Sequence, residues 1–231
     1  FVAAVEPDIT ALVEVDAGSM RTRRVNQAEF IAKALGRHVF YECKYGQGSM
    51  NKFLPIVRKQ SNAVLLGPDM ASERFHYFNV GVKRLIIELE FDDFVIFLVH
   101  LSLGYRHRHE PLLYLSNLIE DIAKPVMIVG DMNTLWGEHE LHLFMQANDL
   151  HSANADGLPT YPSWSPRREL DFVLYQSGIE ITTCQVLESR LSDHLPIVCD
   201  FVVTSRLAAE PKLAGEVAEI QAQRVQGFQR G

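Results

Sequence analysis

The sequence is short of cysteine, of long apolar runs and of basic charge, and each shortage excludes something. Its three cysteines, Cys43, Cys184 and Cys199, form an odd and scattered set, and no pair has metal-ligand spacing. A thiolate metal site is therefore disfavoured. Each cysteine stands in an apolar, strand-like context and reads as a buried structural thiol. No stretch approaches the roughly 20 apolar residues of a membrane span, and no basic-then-apolar signal opens the chain at Phe1. With 22 Lys+Arg against 29 Asp+Glu the net charge is −7, which argues against a surface made for non-specific grip on long nucleic acid. A local basic groove stays compatible with that total. Also lacking are a Gly-rich Walker loop and a dinucleotide fingerprint, so nucleotide-driven and redox chemistry have little support. No linker, composition break or internal repeat interrupts the chain before its C-terminal tail. The 231 residues thus read as one domain over 1–204 and a tail over 205–231 with an amphipathic helix from Lys212 to Gln226. The first residue is not Met and the chain opens on what reads as the end of a helix (Phe1 to Glu6, stopped by Pro7). The expectation is that the natural N-terminus lies upstream, so localisation stays open, with the cytoplasm preferred over export or anchoring.

What the sequence does contain is a set of apolar strands with polar residues at their ends. In Pro125-Val126-Met127-Ile128-Val129-Gly130-Asp131-Met132-Asn133, the apolar run predicts a strand covered on both faces. Gly130 then frees the backbone to bend. Asp131 and Asn133, two positions apart, face one point if the strand continues; the alternative is an Asx turn capping it. Strands are also expected at Ile9–Val15, His38–Cys43, Ser61–Leu66, Phe75–Val80, Leu85–Phe91, Phe94–Leu101, Leu170–Tyr175, Ile181–Leu187 and Ile197–Val203. Asp92-Asp93 turns one pair into a hairpin. Helices are expected over Asn26–Leu35 with Gly36 as C-terminal stop, over Glu110–Ala123 and over about Glu138–Asn148. Leu150 to Pro166 reads as loop. Strands outnumber helices and several are hairpin-linked, so the fold class is α+β, two packed sheets with helices outside.

Glu14 stands among apolar neighbours and needs a partner, a metal or an Arg such as Arg21 or Arg24. Asn62 opens its strand as a polar residue in an apolar setting. His100 ends a very apolar strand, and Asp171 is embedded in Leu170 to Tyr175. The run Ser192-Asp193-His194-Leu195-Pro196 enters the last strand, with Pro196 holding Leu195 extended. His194 suits a general base or cationic stabiliser if a carboxylate holds its other ring nitrogen, and Asp171 is the candidate. Carboxylates with two histidines and an asparagine suit Mg²⁺ or Mn²⁺ and metal-assisted phosphoester hydrolysis. Zinc is disfavoured for want of a His/Cys cluster.

These residues resemble the motifs of the endonuclease/exonuclease/phosphatase superfamily. The matching fragments are Pro7-Asp8-Ile9 through Glu14-Val15-Asp16, Ser61-Asn62-Ala63, Val99-His100-Leu101, Gly130-Asp131-Met132-Asn133, Leu170-Asp171-Phe172 and Ser192-Asp193-His194-Leu195-Pro196-Ile197. Thr160-Tyr161-Pro162-Ser163-Trp164-Ser165-Pro166 looks like the version in small bacterial members. The resemblance implies a four-layer α/β/β/α sandwich of two mixed, mainly antiparallel sheets, with the site at one end of the paired sheets. It implies Glu14 as principal Mg²⁺ ligand and Asp193 as support for the metal or for His194. Asp131 would orient or deprotonate the attacking water, and Asn133 would hold the water or a phosphoryl oxygen. His194, oriented by Asp171, would stabilise developing charge or act as base, and His100 would bind a non-bridging oxygen. The family usually begins with a strand carrying an Asn of the metal site. No such strand precedes Phe1, so a missing first strand is expected.

The partner is then a phosphoester, with nucleic acid, lipid and sugar phosphate all open. The basic stretch Tyr105 to His109, Arg167-Arg168, Trp136 and Trp164 are candidate substrate contacts or ordinary rim residues. The rival function is a non-catalytic binding or scaffold relative, disfavoured because every motif above is intact.

Overall fold

In the computed structural model, residues 1–43, 60–67, 72–77, 85–104, 108–135 and 139–204 are described. Among the described residues, helices α1 (Val2–Val5), α2 (Gln27–Leu35), α3 (His109–Glu120) and α4 (His139–Ala147) stand singly among eleven strands. The first six strands are β1 (Ile9–Asp16), β2 (His38–Cys43), β3 (Gln60–Leu66), β4 (Ser72–Tyr77), β5 (Leu85–Glu90) and β6 (Val95–His100). The remaining five are β7 (Val126–Asp131), β8 (Leu150–Ser152), β9 (Asp171–Gln176), β10 (Ile179–Val186) and β11 (Ile197–Val203).

The most apolar strands occupy the middle of one six-stranded sheet, in the order β4-β5-β6-β7-β9-β8. β5 and β6 form the hairpin turned by Asp92-Asp93, with Phe91 N donating to Phe94 O at 2.9 Å. β6 and β7 run parallel, joined through α3, and β9 returns antiparallel beside β7. Strands packed on both faces show no polar alternation, which is why Val95–His100 is buried throughout.

One face of this sheet is covered by helices: Leu115 and Ile119 of α3 and Leu141 and Phe144 of α4 pack on Ile86, Phe97, Val99 and Ile128. Burial of a side chain as completely covered as Phe97 is worth about 1.5–3 kcal/mol. The other face meets two smaller antiparallel ladders, β1-β3-β2 and β10-β11. Val64 and Leu66 pack on Leu85, Ile87, Leu89 and Leu98, while Ile179, Phe201 and Val203 pack on Phe94, Ile96 and Met127. Ile9 touches both groups. α2 covers the outside of the first ladder, Ala28 lying against Val15 and Ala63. Its ends follow the sequence: Asn26 accepts from Ala28 N and Glu29 N, and Gly36 takes the left-handed conformation at φ 64°.

Some expectations shift. The second sheet comes as two ladders, because among the described residues no ladder joins β1 to β11. β4 starts at Ser72, ahead of the expected Phe75, because its polar opening residues pair with β5, where Arg74 bonds Glu88 and Glu90. β8 lies inside what reads as loop; three residues become a strand only because β9 offers an edge to them. Cys184 and Cys199 are half-buried rather than core thiols and face each other across β10 and β11. The loop Gly46–Met50 and the tail 205–231 with its helix lie outside the described residues.

Candidate active site

Strand register builds the first row of the site. Because β6 and β7 are parallel, their C-terminal ends reach the same edge, where His100 pairs with Asp131. β9 runs the other way, so its first residue, Asp171, pairs with Asp131 from the other side. Directly paired residues point to the same face of a sheet. His100 Nε2 lies 3.2 Å from Asp131 Oδ2. The close approach of β6 and β7 requires Gly130: at φ 136° it lies where side chains are strained, and a Cβ there would stand 1.9 Å from Val99 O.

Asp131 and Asn133 meet, though not by strand alternation. The strand ends at Asp131, and Asn133 turns into the left-handed region at φ 52°. Its backbone N donates to Asp131 Oδ1 at 2.9 Å, the Asx turn weighed from the sequence. Its Nδ2 donates to Asp131 Oδ2 at 2.8 Å and to Leu101 O at 2.9 Å. Both carboxylate oxygens of Asp131 are thus held, and both residues are buried.

His194 arrives from a loop clamped at several points. Leu195 N donates to Thr160 O and Ser163 N to Asp193 O, each at 2.7 Å, and Ser163 Oγ donates to Ser192 O at 2.6 Å. The Tyr161 ring lies 4.8 Å from the imidazole, centroid to centroid. His194 Nδ1 stands 2.7 Å from Asp171 Oδ2. Burial opposes protonation of this ring. The hydrogen bond and charge of Asp171, with the charges of Asp131 and Asp193, outweigh burial and hold its pKa above the ordinary histidine value. Asp193 itself is exposed and accepts from Ser192 Oγ at 3.2 Å.

Glu14 sits in a bulge of β1, where the register with β3 shifts between Leu12 and Val15, and its φ is 59°. Its half-exposed side chain brings Oε1 to 3.8 Å from His100 Nε2. Asn62, on the facing strand, is completely buried, and its amide atoms have no hydrogen-bond partner among the described residues.

The structure therefore gathers Glu14, His100, Asp131 and Asn133 on one side and Asp171 and His194 on the other. Ligand atoms of Asp131, Asp171 and His194 all lie within 4.8 Å of one another, a spacing that suits a metal ion. Glu14 approaches this group through His100, and Asp193 through its charge on His194. Thr160 is a positioning residue that the sequence reading passed over: its buried Oγ1 accepts from Leu170 N at 3.2 Å and Asp171 N at 3.3 Å. A threonine opening a Pro-rich loop carries no local mark of that role.

Around the rim, Trp164 is 62% exposed, and Arg167 and Arg168 are exposed. Arg108 is buried instead, and its Nη1 donates to Ser102 O and Leu103 O at 3.1 and 2.6 Å. Trp136 and residues 105–107 lie outside the described residues.

A mixed α/β fold with two carboxylates, a carboxylate-bound histidine and an asparagine gathered at one edge of its main sheet defines a protein organised around a metal-competent polar site. A model of the endonuclease/exonuclease/phosphatase family matches residues 1–194, and the chain belongs to that family. Among solved structures it is similar to a functionally unknown conserved protein from Enterococcus faecalis, with 15% identity, 87% of this chain and 88% of that chain covered, and a TM-score of 0.67. A mannosyl-6-phosphatase from Bacteroides thetaiotaomicron matches at 14% identity, 87% of each chain and TM-score 0.66. The catalytic domain of human Nocturnin with a bound sulfate anion matches at 20% identity, 88% of this chain, 83% of that chain and TM-score 0.64. At these identities the likeness concerns the fold.

Proposed function

We propose that this protein is a Mg²⁺-dependent phosphoesterase that hydrolyses a phosphodiester or phosphomonoester by in-line attack of water. The observation that carries the reading is the His194–Asp171 pair, 2.7 Å apart, with ligand atoms of both within 4.8 Å of one on Asp131. Carboxylates this close to one another repel unless a proton or a cation lies between them, so the donor set fits a divalent ion. Oxygen-rich ligation favours Mg²⁺, with Mn²⁺ as substitute. Glu14 is the principal ligand in this reading and Asp193 its support. A bound ion would neutralise charge on phosphoryl oxygens and ease deprotonation of water.

The chain's own residues supply the rest. Asp131, its oxygens fixed by Asn133, orients or deprotonates the attacking water. Asn133 holds that water or a phosphoryl oxygen. His194 is protonated more readily than an ordinary histidine, which suits it to stabilise developing negative charge or to exchange a proton with the leaving group. Asp171 keeps its ring in place, and His100 binds a non-bridging oxygen. Positioned donors around one phosphoryl group are what in-line displacement needs. The net charge of −7 favours a small, lipid-like or single-stranded phosphoester over duplex DNA.

The test is turnover of bis-p-nitrophenyl phosphate by the full-length protein with Mg²⁺, Mn²⁺ or a chelator, followed by single- and double-stranded DNA, RNA, sphingomyelin and inositol phosphates. Metal-dependent turnover abolished by chelation is expected. Absence of turnover on every substrate would instead favour the scaffold reading.

A further inference from the structure

The hairpin that presents His194 carries a feature the site chemistry does not use. Cys184 of β10 and Cys199 of β11 are directly opposed in the antiparallel register. Leu187 N donates to Pro196 O at 3.0 Å, which makes that pair a hydrogen-bonded one. Pairs alternate along such a ladder, so three steps further on Cys184 and Cys199 occupy a non-hydrogen-bonded pair. These are the positions where Cα atoms approach most closely, inside the range a disulfide spans. Both thiols are half-buried, and their sulfurs already lie 2.7 Å apart. Alternation along β11 puts Cys199 on the face of Phe201 and Val203, against the main sheet. An apolar bridge suits that face better than two poorly satisfied thiols.

We infer that Cys184 and Cys199 form an oxidative modification site, closing to a cross-strand disulfide that ties off the loop bearing Asp193 and His194. The chemistry balances with a peroxide as oxidant. One of the two sulfurs, as its thiolate, attacks hydrogen peroxide, giving a sulfenic acid and, after proton transfer, water. The other sulfur then displaces the sulfenic oxygen as a second water, forming the S–S bond. Two thiols and one peroxide thus become one disulfide and two waters. A small-molecule disulfide does the same by exchange, leaving as its dithiol. Burial, with Cys184 and then Asp200 adding to it, holds the Cys199 thiol protonated far above its ordinary range. Either sulfur meets the oxidant and its opposed neighbour resolves it, because both are half-buried on one face of the hairpin. The ring so closed contains Leu187 to Pro196, so oxidation restrains the base of the loop that delivers His194. This inference is independent of the phosphoesterase reading.

The test uses the full chain carrying Cys43→Ser, so that only the two opposed thiols remain, treated with hydrogen peroxide or oxidised dithiothreitol. After unfolding and alkylation with N-ethylmaleimide, peptides are mapped by mass spectrometry without reduction. The expected result is joint loss of both thiols and one intramolecular Cys184–Cys199 peptide, restored by dithiothreitol. The oxidised protein should also melt higher than the reduced protein and exchange amide protons more slowly over 187–196. If Cys43→Ser does not fold, mapping the wild type answers the same question, since Cys43 lies in a separate peptide. Oxidation of one thiol without the other, covalent dimers, or two thiols still alkylated at doses that fully oxidise a reference dithiol would overturn it. Equal melting of the two forms would overturn the restraint.

Discussion

Asp171 Oδ2 lies 2.7 Å from His194 Nδ1, although the two stand 23 positions apart along the chain, and both are held through the same neighbour. Thr160 Oγ1 takes the Asp171 amide proton, and Thr160 O takes that of Leu195 beside the histidine. One threonine thus sets both halves of the pair. Asp171→Asn should keep the ring in place yet remove the charge that favours its protonated form. We expect kcat to fall roughly 10²–10⁴-fold and the His194 pKa, followed by imidazole NMR, to drop. An unmoved titration would show that Asp171 does not act through His194.

Direct removal should cost activity without unfolding. His194→Ala and Asp131→Asn are each expected to lower kcat by roughly 10²–10⁴-fold, with circular dichroism and melting close to wild type. Near-wild-type turnover in either variant would remove that residue from the mechanism.

The raised pKa of His194 also has a stability consequence whose sign is set by linkage. The folded protein binds this proton more tightly than the unfolded chain. The stabilisation is therefore fully present below the unfolded value of about 6.5 and is lost as pH rises through the higher folded value. In chelator-treated protein, the melting-temperature difference between wild type and His194→Gln should shrink across that window. A difference that is flat, or grows with pH, would contradict the assignment.

Glu14→Gln keeps the size of the side chain and removes its charge. If Glu14 is the principal metal ligand, the midpoint of a Mg²⁺ titration followed by thermal shift should move by about tenfold or more. An unchanged midpoint would take Glu14 off the ligand set.

Gly130→Ala probes the floor of the site rather than its chemistry. Its Cβ would meet Val99 O at 1.9 Å on backbone at φ 136°. Strain and overpacking together should destabilise the fold by about 2–4 kcal/mol, read by denaturant unfolding. A loss within experimental error would mean that β6 and β7 separate readily.

Much of the architecture is legible in the chain itself. The apolar runs at Leu85, Val95 and Val126 mark the central strands because burial on both faces removes polar alternation. Asn26 and Gly36 mark the ends of α2 because caps are chosen by local geometry. Polar residues ending apolar strands marked a polar cluster, with Asp131 and Asn133 in contact within it, since a buried polar group is costly without a partner.

Beyond the pairs His194–Asp171 and Asp131–Asn133, which the sequence offered as candidates, the chain could not announce who meets whom. The row His100, Asp131 and Asp171 exists because one neighbour of β7 is parallel and the other antiparallel, and that choice rests on pairings distant in sequence. Glu14 comes near His100 at a bulge opposite β3, β8 exists only as an addition to β9, and Cys184 finds Cys199 only once the hairpin register is set. Composition and local pattern decide which segments are buried, because transfer from water depends on each side chain alone. Register and partner are decided by the packed whole, because a pairing gains its energy only when both strands are present.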